Sequence, residues 1–245
     1  DADRVGAAVK NNEGEWVLLN GNQTALMFVY YLITRWKELG KINGKEYIVK
    51  TIVTTETIKT IAERNGVEMY DVYTGFKWIA NVMRENEGKK NYIGGGEESY
   101  GFLCEDFVRD KDAVSACVIL AEIAAWAKDQ GLSLYQLLQK IYVEYGFSKE
   151  KGISVVKKGK SGAEEIEAMM KKFRENPLTE IAGSKVTYFY DYSTLKGKDY
   201  AENETVTLDM PTTSNVLQYF TEDNTKVSIR PSGTEPKIKF YCEVH

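Results

Sequence analysis

The sequence NQTALMFVYYLITRWKEL, from Asn22 to Leu39, is followed by GKINGKE and then by YIVKTIV, which ends at Val53. In the first segment apolar residues recur at helical spacing, and Gly40 stands where a helix C-cap glycine belongs. The last segment is a run rich in β-branched residues, which predicts a strand starting at Tyr47. An amphipathic helix that leads into a strand is typical of a layered α/β domain.

The same alternation continues towards the middle of the chain. The pattern predicts a helix over 55–65, a strand over 67–73, a helix over 76–86, a short strand at 92–93, a flexible glycine run, and helices over 113–128 and 134–144. Ser133 is the predicted N-cap of the last helix. We therefore predict an α/β/α domain with a mixed sheet.

The pattern changes after Phe147. One strand near 153–157 and one helix over 163–174 precede a series of strand patterns at 186–190, 206–208, 216–220, 227–230 and 238–244. This order predicts a second, α+β domain, with the boundary near 145–150.

Composition excludes several classes of protein. Apolar residues make up 43% and charged residues 28%, and 32 Lys+Arg against 36 Asp+Glu leave a net charge of −4. No broad positive field is present, so neither nucleic acid nor an anionic membrane is an expected partner. Three separated cysteines and a single histidine, His245, argue against structural zinc and a disulfide framework. We expect a cytoplasmic protein.

The segment RPSGTEPK, from Arg230 to Lys237, has the chemistry of a phosphate-binding loop. Arg230 can donate to two phosphate oxygens, Ser232 and Thr234 carry hydroxyl donors, and Gly233 allows backbone N–H groups to turn towards an anion. The same residues also suit a tight Pro/Gly hairpin with no ligand.

Two acidic segments are candidates for a sugar site and a metal site. Gly94 to Gly101 brings Glu97 and Ser99 together, and such groups can bind sugar hydroxyls, although a solvated turn has the same composition. Asp1 and Asp3 alternate as Mg²⁺ ligands would, but two carboxylates do not define a site, and a frayed terminus looks the same.

Two further segments place a cation beside the start of a helix, where N–H groups favour anions. They are Thr74-Gly75-Phe76-Lys77 and Arg109-Asp110-Lys111-Asp112. Alone, each also fits a simple helix cap.

Taken together, these motifs resemble the α-D-phosphohexomutase superfamily, in its phosphoglucomutase/phosphomannomutase branch, along essentially the whole chain. The resemblance implies the last two of four domains. Residues 1–10 would be the end of a metal loop and a linker, 11–146 an α/β sugar-binding domain, and 147–245 a smaller α+β phosphate-binding domain of the TATA-binding-protein type.

The resemblance also implies a role for each site residue. Asp1 and Asp3 would bind Mg²⁺, Arg4 and Lys111 would be catalytic, Thr74, Gly75, Phe76 and Lys77 would line the sugar pocket, Glu97 and Ser99 would hold sugar hydroxyls, and Arg230, Ser232, Gly233 and Thr234 would grip phosphate.

The implied reaction interconverts hexose 1-phosphate and hexose 6-phosphate through a phosphoserine and a 1,6-bisphosphate. The serine of the family lies in a Thr-x-Ser-His motif that this sequence does not contain. We therefore expect a carboxyl-terminal piece that is inactive alone. The Glu-Glu-Ser loop favours glucose phosphate over amino sugars, and the alternatives are a phosphopentomutase or a non-catalytic phosphosugar-binding module.

Overall fold

The computed structural model describes residues 1–157, 159–233 and 235–245. The chain divides into two compact units, Asp1–Phe147 and Ser148–His245. Each unit has buried hydrophobic clusters of its own.

The first unit is built on a four-stranded mixed sheet with the order β4-β3-β5-β6. Strand β3 pairs in parallel with β4 and β5, and β6 pairs antiparallel with β5. A separate hairpin of two short strands precedes the sheet. The strands of this unit are β1 (Ala8–Lys10), β2 (Trp16–Leu18), β3 (Glu46–Thr51), β4 (Glu68–Val72), β5 (Asn91–Gly96) and β6 (Phe102–Cys104).

Helices cover both faces of this sheet. They are α1 (Gly21–Glu38), α2 (Thr57–Arg64), α3 (Phe76–Asn86), α4 (Ala113–Asp129) and α5 (Leu134–Tyr145). Alternate residues of β3 face opposite layers: Ile48 packs in the cluster formed with α1, α2, α4 and α5, whereas Tyr47 and Val49 pack with α3. The predicted α/β/α layering with a mixed sheet is confirmed.

Helix α1 differs from the predicted amphipathic helix because residues 24–33 are buried on all sides. It contacts β5 as well as α2, α4 and α5. Its start is fixed by a capping box, in which Asn20 accepts from the Gln23 N–H at 2.8 Å and the Gln23 side chain accepts from the Asn20 N–H at 3.0 Å. Ser133 caps α5 in the same way, as predicted.

The glycine run was predicted to be flexible, and this was wrong. Gly94, Gly95 and Gly96 are buried residues of β5. A Cβ on Gly95 would lie 2.4 Å from the Val49 carbonyl oxygen, and one on Gly96 would lie 2.5 Å from the Phe102 ring. Glycine is required here because neighbouring groups occupy the space of a side chain.

The described residues of the second unit form an antiparallel sheet with one helix, α6 (Gly159–Glu175). The strand order is β11-β10-β9-β12-β13-β14-β7, with β8 paired to β9. Ile166 and Met170 of α6 pack on Leu217, Tyr219 and Ile229 of the sheet. The strands are β7 (Lys149–Val156), β8 (Glu180–Ile181), β9 (Ser184–Asp191), β10 (Lys196–Asp199), β11 (Glu204–Thr207), β12 (Leu217–Thr221), β13 (Lys226–Pro231) and β14 (Lys237–Val244).

This unit confirms the predicted β-rich domain with a helix, and it adds two strands. Strand β10, with the sequence KGKD, pairs with β9 and β11 although it has no apolar residue.

Within the described residues, no helix has both the length and the apolar character that crossing a bilayer demands.

Candidate functional site

The parallel strands of the first unit bring three chain segments to one edge of the sheet. β3, β4 and β5 end at Thr51, Val72 and Gly96. Because parallel strands share their direction, the residues that follow each strand meet at the same edge, where open α/β sheets bind ligands. Thr74 and Glu97 stand just beyond two of these ends.

Glu97 is held in a fixed orientation at this edge. Its Oε1 accepts a hydrogen bond from the Gly75 N–H at 2.7 Å. Its own N–H donates to the Gly101 carbonyl at 2.8 Å, which closes the loop between β5 and β6. The residue is only 6% exposed. One carboxylate oxygen is thus committed to the backbone of the α3 start.

Lys111 lies beside Glu97. A Cβ on Gly101 would be 2.7 Å from Lys111 Cδ and 3.3 Å from Glu97 Oε2, so the two side chains flank the same glycine. Lys111 Nζ is 3.2 Å from Asp3 Oδ2 and 5.9 Å from the centre of the Phe76 ring. Asp3, Phe76, Glu97 and Lys111 therefore form one cluster.

Asp3 and Lys111 stabilise each other's charged forms. Burial lowers the pKa of Lys111, but hydrogen bonds to Asp3 and Asp110 outweigh it and raise the pKa above its usual value. The hydrogen bond from Lys111 holds the pKa of Asp3 below its usual value. Lys111 is therefore a cation at neutral pH, which suits contact with an anion better than removal of a proton.

The amino-terminal segment is tied to this cluster by backbone hydrogen bonds. The Val5 N–H donates to the Tyr100 carbonyl, and the Ala113 N–H donates to the Ala2 carbonyl, each at 3.1 Å. These bonds place Asp3 next to Lys111. Asp1 and Arg4 are both exposed.

The other predicted residues of this unit lie around the cluster with fewer contacts. Thr74 and Ser99 are half-buried, and neither hydroxyl hydrogen-bonds to the described residues. Lys77 is exposed, and its Nζ lies 5.0 Å from the centre of the Trp78 ring.

The acidic residues do not complete a metal site on their own. Among the residues that the structure describes, no three His, Cys, Asp or Glu side chains form a group able to hold a metal ion. Asp3 is already paired with Lys111. Because Mg²⁺ prefers six oxygen ligands, Asp1 and Asp3 alone do not fit it, and we assign no catalytic step to a metal.

We expect the 245-residue chain to bind Mg²⁺ with a Kd of about 1 mM or weaker, because two carboxylates, one of them paired with a lysine, offer few ligands. Calorimetric titration of the chain measures this Kd. Asp3→Asn serves as the control and should leave the weak binding almost unchanged. Micromolar binding that is lost in Asp3→Asn would contradict the expectation.

Sequence patterns did not indicate the role of Gly21. A Cβ at this first residue of α1 would lie 1.9 Å from the Glu98 carbonyl oxygen and 2.8 Å from the Tyr100 N atom. Backbone of the 97–101 loop therefore packs directly on the start of α1. A glycine at a helix start gives no such signal in a sequence, because glycine is also an acceptable cap.

In the second unit, the predicted phosphate loop connects β13 to β14. The Ser232 N–H donates to the Lys237 carbonyl at 2.8 Å, and the Lys237 N–H donates to the Glu235 carbonyl at 2.7 Å. Lys237 forms an ion pair with Glu235. Arg230 has no carboxylate partner among the described residues. Thr234 lies outside the described residues.

An open cleft of about 510 Å³ lies beside this connection. Arg230, Ser232 and Gly233 line it at one side, and α6 contributes an apolar wall that contains Ile166 and Met170. Glu235 and Lys237 of the same segment also line it, together with Glu167, Ser214 and Asn215, which the sequence analysis did not indicate. The second unit therefore offers a cationic guanidinium and hydroxyl donors in a cleft of suitable size for a phosphorylated ligand.

Comparison with known proteins agrees with both units. The phosphoglucomutase/phosphomannomutase alpha/beta/alpha domain III matches residues 20–145, and the carboxyl-terminal domain of the same family matches residues 154–245. The chain is 38% identical over 244 residues to a phosphoglucomutase of Staphylococcus aureus, strain MRSA252. That alignment covers 100% of this chain and 43% of the relative, so the chain spans less than half of the length of this relative.

Solved structures share the fold at low sequence identity. A phosphoglucomutase from Paramecium, pp63/parafusin in an open form, is 17% identical with a TM-score of 0.63, over 100% of this chain and 39% of that one. N-acetylphosphoglucosamine mutase of Aspergillus fumigatus, in complex with GlcNAc-6P and magnesium, is 12% identical with a TM-score of 0.54, over 100% and 47%. The fold and the two domain matches show that this chain belongs to the phosphoglucomutase/phosphomannomutase family.

Proposed function

We propose that this chain supplies the sugar-binding and phosphate-holding parts of a phosphohexomutase that interconverts hexose 1-phosphate and hexose 6-phosphate. The observation that carries the proposal is the cluster at the sheet edge, in which Glu97 is fixed by the Gly75 N–H beside Lys111. Membership of the family supports the reaction class.

In this proposal Glu97 recognises the sugar by accepting hydrogen bonds from its hydroxyls. Its Oε1 is bonded to Gly75, which fixes the carboxylate plane and leaves Oε2 on the side of Gly101 and Lys111. A carboxylate oxygen accepts hydrogen bonds from hydroxyls, and its preset orientation makes it sensitive to their stereochemistry. Ser99 adds a hydroxyl that can donate or accept, while Thr74, Phe76 and Lys77 border the sugar.

Lys111 is assigned contact with a phosphate oxygen. The raised pKa of Lys111 keeps the ammonium charged, and its hydrogen bonds to Asp3 and Asp110 hold it in place. A fixed cation stabilises negative charge without reorganising during the reaction. Arg4, which is exposed beside Asp3, is proposed as a second cation for the same purpose.

We assign to the cleft of the second unit the binding of the phosphate group that is not being transferred. Arg230 is available to donate two hydrogen bonds, and Ser232 and Gly233 stand next to it on the cleft wall. Thr234 belongs to this set by resemblance.

The phosphoryl-carrying serine and the remaining ligands of the Mg²⁺ site are proposed to come from groups outside these 245 residues. Asp1 and Asp3 would contribute two ligands to that site. The substrates in this proposal are glucose and mannose phosphates, and the location is the cytoplasm, in keeping with three free cysteines.

We expect Glu97→Gln to change the ratio of the affinities for glucose 1-phosphate and mannose 1-phosphate by about three- to tenfold. Glutamine keeps an oxygen for the Gly75 N–H but replaces the charged acceptor with an amide, so the sugar whose hydroxyl bonds there loses more. Calorimetric titration of the chain with each sugar phosphate measures the ratio.

Glu85→Gln, on the exposed face of α3, is the matched control, since its side chain can still accept from Asn81. Equal loss for both sugars in Glu97→Gln, or an unchanged affinity, would contradict the role of Glu97. Tighter binding of ribose 1-phosphate than of either hexose would favour a phosphopentomutase instead.

A further inference from the structure

Asn215 lies on the wall of the phosphate cleft, in the segment just before β12. Its backbone surroundings are fixed: the Ser214 N–H donates to the Tyr192 carbonyl, and the Tyr192 N–H donates to the Val216 carbonyl, each at 3.0 Å. These bonds attach both neighbours of Asn215 to the end of β9. The side chain therefore projects from a rigid part of the cleft.

The orientation of the Asn215 amide is set by Arg174 of α6. An Arg174 terminal nitrogen donates to Asn215 Oδ1. Because arginine carries only donors, the oxygen of the amide must face it, and the Nδ2 group, with its two donors, must face the other way. The usual ambiguity of an asparagine amide is removed by the chemistry of its partner.

Arg174 is itself held in place and electrically balanced. Its Nε lies 3.3 and 3.2 Å from the two carboxylate oxygens of Asp191, and both side chains are mostly buried. Asp191 also accepts from the Ser193 N–H at 3.0 Å. Asp191 thus offsets the charge of Arg174. Arg174 in turn orients the Asn215 amide, which is an uncharged hydrogen-bond donor.

The charges around the cleft determine which kind of ligand the Asn215 amide can bind. Arg230 has no carboxylate partner among the described residues, whereas Glu235 is paired with Lys237. Glu167 stands on the α6 wall. An anion in this cleft is therefore attracted to Arg230. The amide of Asn215 can donate further hydrogen bonds to the anion without adding a charge to the cleft.

We infer that Asn215 is a phosphate-binding residue of the second unit, with Arg174 and Asp191 as positioning residues that aim its Nδ2 group into the cleft. The inference rests on the proposed function, because it takes the cleft to hold the phosphate of a sugar phosphate. It adds a donor from a segment separate from the Arg230 loop. Two separate segments would fix the phosphate in direction as well as in position.

The experiment uses the 245-residue chain with inorganic phosphate and glucose 1-phosphate as probes. We expect Asn215→Asp to weaken binding of both probes about tenfold or more, because a carboxylate can still accept from Arg174 but removes the donors and repels the anion. Asn215→Ala removes the donors without adding charge and is expected to weaken binding about three- to tenfold. The Asn215 side-chain amide resonance should shift when phosphate is added to the unaltered chain.

Asn203→Asp is the matched control, because it makes the same substitution on the turn between β10 and β11, where the side chain can still accept from Lys198. Arg230→Ala tests the cleft itself. If Arg230→Ala weakens binding while both Asn215 variants bind as the unaltered chain does, the inference fails and the phosphate cleft stands. If Arg230→Ala also has no effect, the proposed role of the cleft fails too.

Two further results would overturn the inference: a side-chain amide resonance that does not move with phosphate, or an equal loss in Asn203→Asp. Thermal unfolding of each variant shows whether it is folded. Should Asn215→Asp not fold, Asn215→Ala and the amide resonance of the unaltered chain decide the question.

Discussion

Arg230→Ala should weaken binding of every phosphorylated ligand by about 2–3 kcal/mol, which corresponds to about 30- to 150-fold in Kd. The guanidinium has no carboxylate partner among the described residues, so a bound phosphate would be its main charged partner. Removing it takes away two charge-assisted hydrogen bonds and puts nothing in their place. Since glucose and mannose phosphates carry the same phosphate group, the two ligands should lose equally.

Titration of the chain with glucose 1-phosphate, mannose 1-phosphate and inorganic phosphate measures this loss. Lys239→Ala is a strict control, because Lys239 is the cross-strand partner of Arg230 but does not line the cleft. It removes the same charge, and we expect less than about a threefold effect from the general field alone. A loss in Arg230→Ala that differs between the two sugars would show that the loop reads the sugar.

Gly21→Ala should lower the free energy of unfolding by about 1–3 kcal/mol and weaken binding of glucose 1-phosphate, while binding of inorganic phosphate stays unchanged. Alanine is the better helix former by up to about 1 kcal/mol, so propensity alone would stabilise the variant. The added Cβ would lie 1.9 Å from the Glu98 carbonyl oxygen, and this backbone must move. Glu97 and Ser99 would move with it.

Urea unfolding and titration with both probes test this prediction. Gly6→Ala is the matched control in the same unit, because a Cβ there would meet nothing within 4 Å. If Gly21→Ala matched Gly6→Ala in stability and in sugar binding, the contact between α1 and the 97–101 loop would have no energetic importance.

The sequence predicted most of the elements because their patterns are local. Helix α1 was predicted over 22–39 and lies at Gly21–Glu38, and Ser133 caps α5 as expected. Strand β10 was missed because Lys196–Asp199 has no apolar pattern, and its place is set by pairing with β9 and β11. Burial of residues 24–33 of α1 on all sides also depends on helices that are distant in sequence.

In the candidate site, too, the sequence indicated residues with a local signal and missed those that depend on tertiary packing. Motifs led to Glu97 and Arg230 because their side chains carry obvious chemistry. They did not lead to Gly21, whose contribution is the absence of a side chain, or to Asn215, whose amide is oriented by Arg174 and Asp191. Contacts of this kind depend on three-dimensional packing and leave no periodic or compositional signal.

The glycines of β5 bear on how a survey of variants of this protein should be interpreted. In a saturation mutagenesis screen, positions 95 and 96 would tolerate almost nothing, because the Val49 carbonyl and the Phe102 ring already fill the adjacent volume. They would then score as highly as residues that meet the substrate, and they immediately precede Glu97 in the chain. Loss of growth in variants at these positions would reflect the packing of the strands. A screen scored by growth alone could not distinguish this packing effect from loss of a catalytic residue.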